Sequence, residues 1–376
     1  MYIFIFLCYN RNDICGGDVL GIFYNVIHYS LKLKPKERVF IFADDESRDY
    51  TLKLCGELLQ EDVVPVVLWN DIAINRLLIK KNNKDIDSLL YDLIKGTISK
   101  CDAAIMIDNN IESYSGFNPD DVMIFKNNYY LKIFQQIMSF KRWVYFRYPN
   151  RKLASLFGLT YSQHKRLLIN VNNFDYSSLK QQAIKLKNIL DSTSKIRIIG
   201  YQTDIEFMKR GINSVICCGD INLPDGEVYT APEKYSVNGH ILFDVDSYFR
   251  GDTYKNIFLN VKDGKIIDCS CNITEQLKRV LNSDDGSCYF GEFAFGLNPF
   301  ITRNYNDNLF NEKMARTIHM AIGRSHLDSS NGNESIIHWD LIKQMQENCE
   351  IFFDDRLVYH NGEFTIDELV GIFARG

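Results

Sequence analysis

The chain has 376 residues, 46% of them hydrophobic, which is enough material for two domains with separate cores. Its net charge of −5, with no Lys/Arg stripe interleaved with aromatics, leaves no footprint for nucleic acid and excludes it as a partner. Ten cysteines without a Cys-x-x-Cys pair or a framework spacing read as free thiols of a reducing cytoplasm, not as a disulfide scaffold.

At the amino terminus, Met1–Cys8 (MYIFIFLC) is apolar but has no basic lead-in or cleavage site, and it stops at Asn10-Arg11-Asn12-Asp13. It is far shorter than the ~20 residues of a membrane span and reads as a buried strand or packed arm, so no membrane partner is expected. Arg38–Ala43 (RVFIFA) reads as a strand, and Ser47 is placed to cap a helix running through Leu52, Cys55, Leu58 and Leu59. Val63–Trp69 reads as a second strand in which Pro65 removes one ladder donor. A helix through Ile86, Leu89, Leu90, Leu93 and Ile94 leads to the strand Ala103–Ile107, and a helix near Tyr130–Phe140 leads to the strand Val144–Phe146. Strands alternating with helices imply right-handed crossovers, so residues 1–195 are expected to form a doubly wound, Rossmann-like α/β domain with a parallel sheet covered on both faces. No glycine-rich phosphate loop follows any of these strands, and Asp44-Asp45-Glu46 would repel phosphate, which disfavours a nucleotide-binding reading.

From Lys195 the texture changes to short β-rich runs (IRIIG, SVICC, HILFDV, NIFLNV, KIIDCS, EIFF) separated by Gly, Asn and Asp turns. Residues 196–376 are therefore expected to form a mainly antiparallel α+β, metal-binding domain, with Asp263-Gly264 as a hairpin turn. Cys269 and Cys271 read as two strand residues on one face.

Candidate chemistry gathers in this second half. In His338-Trp339-Asp340 a strand aims its first and third residues at one side. Glu292 lies among Phe290, Phe293 and Phe295, where burial is costly unless the carboxylate is paired or coordinated. Glu227 follows a rigid Pro224-Asp225-Gly226 turn; alone it reads as an exposed Glu beside a hairpin. His319 alone reads as a satisfied core histidine, two helical turns after Glu312 if that segment is helical. Together, Glu227, Glu292, His319, His338 and Asp340 are five N/O ligands with no thiolate, a set suited to a pair of divalent ions in a metallohydrolase: zinc or cobalt first, manganese or magnesium next. Ser329-Ser330-Asn331-Gly332-Asn333 reads as a solvated loop.

Four ordered segments, NLPDGEVYTAP, GEFAFGLNP, NEKMARTIHMAIGRSH and SIIHWDLI, resemble the signatures of the thermophilic metallo-aminopeptidase family, the relatives of aminopeptidase T and aminopeptidase S. The resemblance implies a cytoplasmic homodimer that hydrolyses the amino-terminal amide bond of short peptides or aminoacyl conjugates through a water activated by two metals. It also implies that the ligands are Glu227, Glu292, His319, His338 and Asp340, and that Glu312 is a general base or a sixth ligand. The chain departs from the aminopeptidase T branch where an active-site tyrosine is replaced by His326, which is expected to line the cavity as an uncharged imidazole without binding metal. That departure leaves open a metal-binding homologue without general peptidase activity, or an amide-hydrolysing enzyme of specialised metabolism.

Overall fold

A computed structural model describes residues 17–107, 114 and 116–373; the apolar start Met1–Cys8 lies outside the described residues. The first half builds a parallel sheet in the order Val64–Asn70, Arg38–Asp44, Ala103–Ile107, Trp143–Phe146, completed by Asn222–Leu223 from the second half. Both faces of this sheet are covered, which is why its strands are continuous apolar runs. Val39, Ile41 and Ala43 enter one core cluster, whereas Phe40 and Phe42 enter another. Pro65 sits on the edge strand, where a missing donor costs least.

Local details differ from the sequence expectation in two places. Ser47 holds the position before helix Arg48–Gln60, but its hydroxyl bonds back to the Asp44 carbonyl at 2.6 Å and makes no cap. The acidic turn is itself occupied: the Tyr148 hydroxyl donates to Asp44, and Asn150 and Lys152 contact Glu46. Helix Lys84–Ile98 forms as its periodicity predicts, yet Leu89 and Leu93 face outward at 62% and 65% exposure.

The second half is antiparallel. Eight strands run in the order Lys265–Ser270, Ile257–Lys262, Asn238–Phe243, Thr203–Met208, Lys195–Gly200, Glu350–Phe353, Arg356–His360 and Glu363–Phe364. Asp263 and Gly264 make the expected hairpin, both with positive φ, and a Cβ on Gly264 would lie 1.9 Å from the Lys234 carbonyl oxygen. A five-stranded sheet follows in the order His338–Gln344, Thr317–Gly323, Phe290–Gly296, Glu227–Thr230 and Val215–Cys217. One face of it carries Phe293, Phe295, Ile318, Met320 and Leu341 into the core shared with the larger sheet, where Phe207 meets Phe293 edge-on at 5.1 Å. With that face satisfied, the opposite face is free to hold polar side chains.

Candidate metal centre

Strand pairing brings the polar side chains together row by row, because residues directly opposite in an antiparallel ladder share a face. Glu227 lies opposite Gly296; Tyr229, Ala294 and His319 form the next row; Glu292, Ala321 and Asp340 the next; Gly323 and His338 the last. Each proposed ligand thus has a Gly or Ala opposite it on one neighbouring strand, with Ile342 also opposite His319 and Cys217 opposite Glu227, and the small partners leave room above the sheet.

Glu292 reaches that face through a β-bulge. Between Phe290 and Glu292 the ladder slips, so Phe290 pairs with Ile322 on the core side while Glu292 pairs with Ala321 on the polar side. Gly291 is the extra residue, and a Cβ there would lie 2.4 Å from the Gly323 carbonyl oxygen. Strict alternation would have sent Phe290 and Glu292 to the same side.

All seven sequence-predicted site residues converge. His319 Nε2 lies 3.3 Å from Glu292 Oε1 and 3.5 Å from Glu227 Oε2. His338 Nε2 lies 3.2 Å from Glu292 Oε2 and 3.5 Å from Asp340 Oδ1. His326 Nε2 approaches Glu292 Oε2 to 3.0 Å. Glu312 does not stand two helical turns before His319: the short helix Asn308–Asn311 ends at Glu312, and His319 is on a strand. The 329–333 segment is solvated only in part: Ser330 and Gly332 are exposed, while Ser329 and Asn333 are buried. Asn331 donates to the Pro232 and Phe290 carbonyls, Asn333 to those of Gly286 and Gly323, and Ser329 to that of Asn213. Those carbonyls are main-chain acceptors that composition does not reveal.

Several residues at the centre escape a motif reading. Lys313 is buried with its ammonium 2.5 Å from Glu227, 2.9 Å from Glu312 and 3.8 Å from Asp225. Asp225 looks like a turn residue, but it is fully buried and accepts from the Gly219 and Gly226 amides. Cys217 pairs with Glu227 at the sheet edge and forms a third donor group with Asp225 and Glu227, two carboxylates that already face Lys313. The Tyr229 ring packs at a tilt against His326, centroids 5.0 Å apart, and its hydroxyl donates to Asp328 at 2.9 Å. The one signal for Lys313 was its place beside Glu312.

The electrostatics describe a site short of cations. Burial raises the Glu292 pKa, but the imidazoles of His319, His326 and His338 outweigh it and hold the carboxyl well below its ordinary range. Burial likewise opposes ionisation of Asp340, which His338 nonetheless pulls down to about 2, and of His319, which Glu292 and Glu227 push up to about 9. Glu312 moves the other way, to about 8, because burial and the nearby carboxylates outweigh Lys313. Burial also lifts Asp225 to about 7.

The donor set fits divalent metal. Asp225, Glu227, Glu292, Glu312 and Asp340 set five carboxyls against one ammonium; fully ionised, the surplus is four negative charges, the charge of two divalent ions. The buried Oε2 atoms of Glu227 and Glu292 accept no hydrogen bond. The Nδ1 of His338 faces the Arg324 carbonyl at 2.7 Å, so it must donate, which leaves Nε2 of the neutral ring as a lone-pair donor. Two donor groups, Glu227–Glu292–His319 and Glu292–His326–His338, share Glu292.

Comparison with known proteins agrees with this chemistry. The profile of the thermophilic metalloprotease family (M29) matches residues 24–364. Aminopeptidase 2 of Geobacillus stearothermophilus is 30% identical over a match covering 32% of this chain and 33% of that protein. Aminopeptidase AmpS of Bacillus subtilis is 29% identical over 33% of this chain and 31% of its own length. The matches thus span about a third of the length of these curated relatives. The structure of wild-type AmpT from Thermus thermophilus superposes with a TM-score of 0.78 at 18% identity, covering 93% of this chain and 99% of that one, which establishes a shared α/β fold.

Proposed function

Since the chain belongs to the thermophilic metalloprotease family M29, we propose that it is a metallo-aminopeptidase that removes the amino-terminal residue from short peptides or aminoacyl conjugates. The observation that carries this reading is the sharing of Glu292 between two donor groups, one wholly on the sheet face and one completed by His326 from the adjoining loop. On this reading Glu227, Glu292, His319, His338 and Asp340 hold two divalent ions, zinc or cobalt in preference to manganese or magnesium. Two such ions supply Lewis acidity to the scissile carbonyl and make water a nucleophile at neutral pH.

The chain's own groups do the rest. Glu312, buried beside the ligands, takes the proton of the attacking water and returns it to the leaving amine. Lys313 holds the Glu312 carboxylate from 2.9 Å and Glu227 from the other side, which fixes the base relative to the ligands. Residues 196–376 form the catalytic unit, residues 1–195 the α/β domain, and the assembly is a two-fold homodimer in the cytoplasm.

The test is metal analysis of the purified protein followed by assay on aminoacyl amides and short peptides, with and without acetylated amino termini. About two ions per chain and hydrolysis restricted to free amino termini are expected. Metal uptake without hydrolysis of any of these substrates would refute the peptidase reading and leave a metal-binding homologue.

A further inference from the structure

Resting on the metal centre proposed above, we infer that His326 is a metal ligand, so that one of the two ions is held by a pair of imidazoles, His326 and His338, against Glu292. The centre then carries three imidazoles in place of two and favours zinc or cobalt over manganese and magnesium.

The geometry is that of donors converging on a point. His326 Nε2 and His338 Nε2 lie 3.0 and 3.2 Å from the same oxygen, Glu292 Oε2, which is buried and accepts no hydrogen bond. All three donor atoms fall within 4.8 Å of one another. Around a tetrahedral zinc with ligands at ~2.0–2.1 Å, neighbouring donors stand ~3.3 Å apart, close to these separations. Asp340 Oδ1, 3.5 Å from His338 Nε2, is placed to complete the set.

The loop holds His326 in that position. Its ring packs between Tyr229, at 5.0 Å, and His338, at 4.7 Å, and the Tyr229 hydroxyl is anchored on Asp328. The His326 carbonyl accepts from the Ser329 amide, and the Ser325 amide donates to the Asn333 carbonyl. The side chain keeps 47% of its surface exposed, but the two ring contacts orient it and the main-chain hydrogen bonds hold the loop beneath it, which lowers the ordering cost of coordination. Imidazole nitrogen raises affinity for zinc and cobalt far more than for magnesium or manganese, which prefer oxygen donors.

The experiment titrates the metal-free full chain with Co²⁺, following the visible spectrum and competing with a chelator, in the native protein, His326→Ala and His326→Tyr. The native chain is expected to bind two ions. Both variants are expected to bind one as the native chain does and the other at least ~10-fold more weakly, with altered visible bands. Unchanged affinities and spectra in both variants would overturn the assignment of His326 while leaving the two-metal reading intact. No uptake by the native chain would overturn both.

Discussion

The Gly291 bulge offers the most direct test of how this sheet makes a site. In Gly291→Ala the new Cβ would stand 2.4 Å from the Gly323 carbonyl oxygen, about 1 Å inside the ordinary 3.4 Å contact limit. That oxygen also accepts from Asn333, so it cannot withdraw without breaking a buried hydrogen bond. Overpacking of this kind costs about 1–3 kcal/mol. For a chain of this size the melting temperature should fall by about 1–4 °C. The larger effect concerns function: the clash is relieved by straightening the bulge, which turns Glu292 away from the His319 and His338 rows. Since Glu292 serves both donor groups, affinity for both ions should drop by at least ~10-fold. Thermal unfolding with and without metal, together with chelator competition, reads both quantities. A Gly291→Ala protein that melts and binds metal like the native chain would refute the link between bulge and site.

Other outcomes follow from the same geometry. His338→Ala and Asp340→Ala should each lower metal occupancy sharply, since each removes a donor from a charge-balanced site, and full metal content in both would sink the ligand assignment. Glu312→Gln should keep two ions and lose ~10²-fold or more in turnover; loss of an ion instead would make Glu312 a ligand. His164, buried edge-on against Phe157, has its pKa lowered by burial to about 4, so the unfolded chain binds the extra proton between about pH 6.5 and 4. Stability is therefore present above pH 6.5 and declines as pH falls through this window, by at most ~3 kcal/mol from this residue. Denaturant melts at pH 7 and 4.5 should show a smaller loss for His164→Phe, and an equal loss would exclude His164 as the cause.

Sequence by itself determined what local periodicity controls. Val39 to Ala43 had to be buried on both faces because every residue in the run is apolar, and His338 and Asp340 had to share a side because strand side chains repeat every two residues. Asp263-Gly264 had to turn because both positions need positive φ. The rest depended on which strands meet, and strand order is a long-range property that no window of sequence contains. Glu227, Glu292 and His319 become neighbours only because their strands lie side by side. Glu292 joins them only because a bulge at Gly291 reverses the alternation that the sequence implies, and a residue without a Cβ is needed that close to the Gly323 carbonyl. Asp225 reads as an ordinary turn residue, and Lys313 carries no reading of its own in the sequence. Burial away from bulk solvent favours a carboxylate cluster around one ammonium, and only the folded sheet could impose it.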